Sequence, residues 1–198
     1  MPYVIRPKRR KAHLAGIIAA ALLAFVGLPA VAQADCPDSP LSQPFKQSGD
    51  SSYYSLIPNG DFSSGTAGWT LRNAKLVSGS NGNMLQIDNT GEAVSPPFCI
   101  DKNYPTFRFY ADTTRGWWTS LNVGLRYPDG FGALHDLNLS SLFDSSFPSL
   151  APTGVLPLQT KLPFWQRSDT LTVRLVFDPN MWGNDWTIDN VYVDPYRR

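Results

Sequence analysis

NGDFSSGTAGW, residues 59–69, gathers three glycines and two serines and places Phe62 and Trp69 around most of them. Glycine adopts backbone angles with positive φ that other residues adopt only at a cost, and serine and asparagine favour turns. The stretch is therefore typical of a turn, and a strand-like Thr-Leu pair follows it directly. The role of two large aromatic side chains beside so much polar sequence depends on what surrounds them.

The first 34 residues have the features of an export signal. Basic residues at positions 6–11 precede an apolar stretch, residues 14–31, which ends in the small-x-small pattern Ala-Gln-Ala at 32–34. A membrane anchor is the alternative, because the apolar stretch approaches the length that spans a bilayer. Its glycine and proline residues and its small-residue end favour cleavage. We predict that residues 1–34 are a signal peptide, and that the mature protein is secreted or held in a bacterial envelope, with no membrane span after cleavage.

Cleavage also changes the charge of the protein. Five of the 17 Lys and Arg residues lie in the leader, so 12 remain against 16 Asp and Glu, and the net charge falls from +1 to −4. A protein that binds nucleic acid needs a concentrated basic surface, and no run of Lys or Arg stands outside the leader. The sequence therefore argues against a nucleic-acid partner.

Cys36 and Cys99 are the only cysteines. In an exported chain an even pair predicts a disulfide, and metal ligation by two lone cysteines is the weaker alternative. Residues 35–52 are polar and rich in proline. We expect them to form an extended lead-in that is held by the disulfide rather than by packing, with the folded domain at 53–198.

Three segments alternate apolar and polar residues, namely residues 106–112, 120–127 and 170–178. A period of two is typical of an antiparallel sheet with one buried face. Turn-forming sequences separate such segments, and no stretch shows a sustained helical period. Residues 138–168 carry several prolines and are predicted to be a long surface excursion with one short strand at most. Many short strands in one chain indicate an all-β sandwich or barrel.

Motifs at both ends of the domain resemble a known group of folds. LIPNGDFSSGTAGW, residues 56–69, and WTIDNVYVDP, residues 186–195, are similar to the motifs that bracket galactose-binding-domain-like jelly rolls. This group includes several families of carbohydrate-binding modules from bacterial secreted glycosidases. The resemblance implies a two-sheet antiparallel β-sandwich of the jelly-roll type whose first and last strands are adjacent. Residues 59–69 would then form a corner, with Phe62 in the core and Trp69 at the start of the next strand.

The resemblance has two further consequences. Ile188 and Val191 cannot both point inward under strict alternation, so a bulge is expected near Asp189 and Asn190. In the same families a structural calcium ion often lies where the corner meets the last strand, and the matching residues here are Asn59, Gly60, Asp61 and Asp189. Ser63 stands where the family has a glutamate. Because calcium prefers six to eight oxygen ligands with several carboxylates, the alternative is that Asp189 only hydrogen-bonds the corner.

The sequence gives little support to an enzyme. His135 and Glu92 are the only histidine and glutamate outside the leader. No nucleophile elbow, paired-histidine metal motif or phosphate-binding loop is present, and most aspartates stand in turns. His135 is expected at the surface or at a strand edge.

A binding surface is the better hypothesis. The polar faces of the three alternating segments carry five residues suited to sugar hydroxyls and rings, namely Arg108, Tyr110, Asn122, Arg126 and Arg174. If the strands are neighbours, these residues form the floor of a ligand site on one concave sheet face, and Trp117 or Trp118 forms a wall. The alternative is an ion-paired, solvated face in which the arginines pair with Asp112 and Asp178.

The predicted function is that of a secreted, non-catalytic domain that binds carbohydrate or a cell-surface glycan. A structural or adhesive envelope domain with a protein partner is the second hypothesis, and a small secreted hydrolase is the third. An exposed aromatic side chain beside polar groups would favour the first. A large apolar patch without a groove would favour the second, and a cleft with converging carboxylates the third.

Overall fold

Antiparallel strands dominate the computed structural model, which describes residues 36, 39–79, 82–113, 119–129, 131–143, 149–166, 170–179 and 183–194. All of these residues belong to one compact unit. The strands are β1 (Leu41–Ser42), β2 (Tyr54–Leu56), β3 (Thr70–Gly79), β4 (Gly82–Val94), β5 (Phe98–Ile100), β6 (Thr106–Thr113), β7 (Ser120–Pro128), β8 (Leu134–Phe143), β9 (Ala151–Pro152), β10 (Leu156–Pro157), β11 (Leu171–Pro179) and β12 (Trp186–Asp194). Two 3-10 helices, Lys46–Ser48 and Gln159–Lys161, are the helical segments among these residues. No helix in the described ranges is long and apolar enough to cross a membrane.

The strands form two facing layers. In the first layer β12 pairs with β6 on one side and with β4 and β2 on the other. The second layer has the order β8-β7-β11, and β11 also pairs with β5 and with the last residues of β4. The long strand β4 therefore passes from one layer into the other. This arrangement confirms the all-β, two-sheet antiparallel sandwich predicted from the sequence.

Residues 59–69 form the predicted corner between β2 and β3. Phe62 is fully buried and Trp69 nearly so, and their ring centroids lie 5.0 Å apart. The indole nitrogen of Trp69 donates a hydrogen bond to the carbonyl oxygen of Asn59 at 3.0 Å. At Gly60 a Cβ atom would stand 2.7 Å from the carbonyl oxygen of Val191, so only glycine fits where the corner meets the last strand. The two aromatic residues are therefore structural, as expected.

The terminal strands are adjacent, as the bracketing motifs predicted. Leu56 of β2 pairs with Tyr192 of β12, and Ser55 pairs with Val193. The register of β12 shifts between Asp189 and Tyr192. Asn190, which lies at this shift, has a left-handed backbone conformation with a φ of 52°. The shift allows Ile188 and Val191 to be buried together. The predicted bulge is confirmed.

The core lies between the two layers and follows the period-two pattern. On β7 the side chains of Leu121, Val123 and Leu125 are fully buried. The rings of Phe109 on β6 and Phe177 on β11 meet edge to face across the layers, with centroids 5.2 Å apart. Burial of these side chains is the main stabilising contribution to the sandwich.

The lead-in differs from the prediction. Cys36 and Cys99 form the expected disulfide, with a Cα–Cα distance of 5.5 Å, but packing holds the segment as well. Phe45 is fully buried, and its ring stacks on Tyr110 and meets Tyr54 edge to face. Residues 39–50 therefore form a strap over the outer face of the first layer. The polar and proline-rich composition gave no sign of this, because one aromatic residue supplies the anchor.

The excursion predicted at 138–168 is also different. Its first part continues β8 as far as Phe143. Later residues return to the core, where Leu156, Leu158 and Leu162 are buried. A single buried leucine at every second or fourth position is too sparse a pattern to be recognised as core from the sequence.

Candidate functional site

The five residues predicted to form one ligand floor lie on two different layers. Arg108 and Tyr110 belong to β6 in the first layer, where the strap covers them. The guanidinium of Arg108 lies 4.2 Å from the centre of the Phe45 ring; it also donates hydrogen bonds to Asp50 at 2.5 Å and to the Thr153 carbonyl oxygen at 2.9 Å. The hydroxyl of Tyr110 donates to the carbonyl oxygen of Pro44. The expectation of a single floor is therefore wrong, and neither residue is open to a ligand in this structure.

Asn122, Arg126 and Arg174 point outward from the second layer. Arg126 forms a bidentate ion pair with Asp136, at 2.7 and 2.9 Å. Arg174 donates to the carbonyl oxygen of Ser95. The amide oxygen of Asn122 accepts a hydrogen bond from the hydroxyl of Ser141. The alternative to binding was pairing of the arginines with Asp112 and Asp178; Arg126 does pair with an aspartate, but with Asp136 on the neighbouring strand.

A groove of about 350 Å³ runs over this outer face. Gly124 and Val176 lie at its floor, and Glu92, Asp136 and Asp178 supply carboxylates along it. Burial, and then the negative charge of Glu92, raise the pKa of Asp178. The described lining of this groove contains no aromatic side chain. Trp117 and Trp118, the predicted wall, lie outside the described residues, as do Trp182 and the predicted signal peptide at 1–34.

A larger cleft, of about 820 Å³, opens at one end of the second layer. Residues of the turn between β7 and β8 lie on one side, and residues 163–166 and 170–172 lie on the other. Its described lining consists of Tyr127, Pro128, Asp129, Phe131, His135, Pro163, Trp165, Gln166, Thr170, Leu171 and Thr172. The volume lies within the range of pockets that bind small molecules.

Two large aromatic side chains of this cleft are exposed to solvent. Phe131 is completely exposed, and Trp165 is 65% exposed. The backbone around Trp165 is held in place, because Leu162 and Gln166 on either side of it are buried and Phe164 meets the indole edge to face at 4.9 Å. The exposed indole provides a flat apolar surface at the edge of the cleft.

The turn that presents Phe131 is organised by Asp129. One carboxylate oxygen of Asp129 accepts hydrogen bonds from the backbone N–H groups of Phe131 at 2.8 Å and Ala133 at 2.9 Å. Gly132 has a φ of +85°, a conformation that side-chain-bearing residues rarely adopt. The sequence PDGFGA thus builds a tight turn with its aromatic residue at the tip.

The other carboxylate oxygen of Asp129 lies 2.9 Å from Nε2 of His135. His135 is the cross-strand neighbour of Tyr127, and the two rings stack with centroids 5.7 Å apart. The hydrogen bond from His135, followed by those from the Phe131 and Ala133 backbone, lowers the pKa of Asp129. The carboxylate is therefore ionised at neutral pH and acts only as an acceptor.

The described lining of this cleft offers groups that suit recognition of a ligand. Asp129 is the one carboxylate in its described lining, and three hydrogen bonds already engage it. Glycoside cleavage by the usual mechanism needs two carboxylates across the scissile bond. Threonine, glutamine and histidine side chains beside exposed aromatic rings instead match the pattern of a ligand pocket, in which apolar area is combined with a few fixed polar groups.

The sequence interpretation did not find this cleft. His135 was expected at the surface or a strand edge, and its side chain is half exposed on β8, but its pairing with Asp129 was not foreseen. Trp165 lay in the predicted excursion. The adjacent Phe164 and Trp165, after a proline and in a polar neighbourhood, were a signal that an exposed aromatic pair was present.

The residues matched to a calcium site lie at the corner, and the calcium ion stays a prediction. The side-chain amide of Asn59 already donates to the carbonyl oxygens of Gly65 and Ala67 and accepts from the Ser64 N–H. Burial raises the pKa of Asp189 to about 6, although hydrogen bonds from Asn190 lower it, and the charge of Asp61 raises it further. Within the described ranges no group of three or more acidic, histidine or cysteine side chains is placed to hold an ion. Asp61 and Asp189 supply two carboxylates here, so a calcium ion would need backbone carbonyl oxygens among its further ligands.

No family model matches the sequence, and no curated protein matches it. Among solved structures, the chain is similar to the family 11 carbohydrate-binding module of the cellulase Lic26A-Cel5E of Clostridium thermocellum, at 14% identity and a TM-score of 0.48, over 72% of this chain and 94% of that one. It is also similar to the CBM22-1 xylan-binding domain of Paenibacillus barcinonensis Xyn10C, at 12% identity and a TM-score of 0.45, over 67% and 88%. Identities and TM-scores this low say nothing about the ligand of this chain.

Proposed function

We propose that the protein is a secreted, non-catalytic domain that binds carbohydrate in the cleft beside Trp165. The observation that carries the proposal is an exposed indole on a fixed backbone, facing a cleft that also contains Phe131, His135 and threonine side chains. A sugar ring presents a C–H face that packs on an aromatic ring, and its hydroxyls need donors and acceptors beside it. The cleft supplies both kinds of contact.

A protein partner is the second candidate, and one observation favours it. Leu134 and Phe164 are also largely exposed near this end of the molecule, which widens the apolar area around the cleft. Contiguous apolar surface marks interaction sites of several kinds. The cleft itself favours a small ligand, because an adhesive surface needs no concavity of about 820 Å³.

The outer face of the second layer stays a prediction as a second ligand surface: Asn122 lines its groove, and Arg126 and Arg174 point outward from the same layer. Secretion through the leader at 1–34 is likewise part of the proposal. Both follow from the sequence, and each has a separate test: substitution at Asn122 for the groove, and N-terminal sequencing of the exported protein for the leader.

The proposal is tested with a glycan array followed by calorimetry on the best ligand. Trp165→Ala should weaken binding by about 1–3 kcal/mol, the loss expected for a well-packed aromatic anchor, which is roughly a tenfold to hundredfold change in Kd. Phe143→Ala is the matched control, because Phe143 is an exposed aromatic residue on the same strand as His135, roughly 27 Å along it at about 3.3 Å per residue.

Unchanged binding in Trp165→Ala, with the fold intact by circular dichroism, would place the ligand elsewhere. Loss of binding in Asn122→Ala instead would move the site to the outer-face groove. Failure of the unaltered protein to bind any glycan, together with capture of one defined protein partner through Leu134 and Phe164, would support the adhesive alternative.

A further inference from the structure

The imidazole of His135 is held in one orientation inside the cleft. The Tyr127 ring stacks against it at 5.7 Å and fixes its plane. Asp129 holds its Nε2 atom at 2.9 Å and fixes its rotation within that plane. Asp129 is itself fixed by the backbone of its own turn. The ring is therefore preorganised, although its side chain remains half exposed.

This arrangement determines which ring nitrogen carries the proton. An ionised carboxylate can only accept hydrogen bonds, so the neutral imidazole must place its proton on Nε2, between the ring and Asp129. The hydrogen bond that one ring nitrogen makes determines whether the other nitrogen is protonated. Nδ1 then carries a lone pair and lies on the side of the ring opposite Nε2, on a side chain that lines the cleft.

We propose that the Asp129–His135 pair sets the ligand class of the cleft: it binds sugar units that carry no charged group, with a hydroxyl donating to Nδ1 of His135, and it rejects their carboxylated counterparts. This inference rests on the proposed function and deepens it. A hydroxyl can donate to the Nδ1 lone pair, whereas a carboxylate brings only acceptors to it. The negative charge of Asp129 adds repulsion to a carboxylate that approaches His135.

Two measurements on the unaltered protein test the inference. Nitrogen NMR of the imidazole at pH 8 should show the proton on Nε2 of His135. Binding at the same pH should be compared for neutral oligosaccharides and for oligomers of the same linkage with C6 oxidised to a carboxylate. We expect the neutral member of each pair to bind about tenfold more tightly or better, which corresponds to about 1.4 kcal/mol.

Asp129→Asn provides a nearly isosteric reversal. The asparagine oxygen can still accept from Phe131 and Ala133, while its N–H group now faces Nε2 of His135 and forces the proton to Nδ1. The variant should bind neutral oligosaccharides less tightly and lose the discrimination against the carboxylated ones. Asp112→Asn is the matched control, because it removes the same charge from β6 in the other layer.

The outcomes distinguish failure of the inferred ligand class from failure of the proposed carbohydrate binding. Neutral and carboxylated oligomers that bind equally well would overturn this inference and leave the proposed function standing. A proton found on Nδ1 in the unaltered protein would overturn the inference as well. Absence of binding by either kind of oligomer would overturn the proposed function and the inference with it. The measurements on the unaltered protein stand even if Asp129→Asn fails to fold.

Discussion

The ion pair under the strap makes a quantitative prediction about acid stability. The carboxylate of Asp50 accepts hydrogen bonds from the Tyr54 hydroxyl at 2.6 Å, from Arg108 at 2.5 Å and from the Ser52 N–H at 2.9 Å. Burial alone would raise its pKa, but these hydrogen bonds outweigh burial and hold the pKa at about 2, against 3.8 for an unperturbed aspartate. The folded state therefore binds the proton of Asp50 less readily than the unfolded state does.

Because the pKa of Asp50 is lower in the folded state, its ionised carboxylate stabilises the fold at pH values above the unfolded pKa of 3.8. This contribution is lost as the pH falls through about 2. At 1.36 kcal/mol per pKa unit the full shift corresponds to about 2 kcal/mol. Solvent still reaches the carboxylate, so screening lowers the expected value to about 1 kcal/mol. Asp50→Asn should thus lower the free energy of unfolding by about 1 kcal/mol at pH 7, and the difference should shrink as the pH is lowered from 4 to 2.

Urea unfolding followed by tryptophan fluorescence measures this difference across the pH range. Asp112→Asn controls for the general loss of one negative charge from the same layer. A destabilisation by Asp50→Asn that is equally large at pH 7 and pH 2 would refute the reasoning, because it would assign the effect to side-chain packing. A variant as stable as the parent at pH 7 would refute it too.

Three further outcomes follow from the fold. Natively purified protein should show no free thiol by mass spectrometry, and replacing both Cys36 and Cys99 by serine should cost roughly 4 kcal/mol in the chain-entropy model. If Asn59, Asp61 and Asp189 hold a calcium ion, calcium should raise the melting temperature and a chelator should lower it, and Ser63→Glu, which supplies the missing carboxylate, should enlarge the rise; a melting temperature that calcium leaves unchanged would show that Asp189 only hydrogen-bonds the corner. Phe45→Ala should cost about 3–5 kcal/mol, as for other fully buried phenylalanines, and a loss below 1 kcal/mol would show that the strap is not anchored there.

The parts of the fold that the sequence predicted are those fixed by local rules. Alternation with period two assigned the buried faces of β6, β7 and β11, because neighbouring side chains on a strand must point to opposite faces. The same rule predicted the bulge, since Ile188 and Val191 are both too apolar for the surface. The corner at 59–69 was predicted because its glycines and aromatic residues matched a recognised motif.

The site was harder to predict, because alternation says which side chains leave the core and not what covers them. Arg108 and Tyr110 do point outward, but Phe45, more than 60 residues earlier in the chain, lies on top of them. Such a contact between distant residues leaves no periodic signal in either segment. The cleft was not predicted for the same reason: its two sides, the β7–β8 turn and residues 163–166 with 170–172, meet only when the layers have formed.

The location of the exposed aromatic side chains argues for a ligand at the cleft. The rings of Phe131 and Trp165 are not part of the hydrophobic core, because both are largely exposed to solvent. Yet the backbone beneath each ring is held in place, by Asp129 under the first and by the buried Leu162 and Gln166 around the second. A rigid scaffold that presents binding residues on its loops is a common arrangement, and a surface that is ordered before the ligand arrives loses less entropy on binding. The order at these two turns therefore favours recognition, because stability alone would require neither exposed ring.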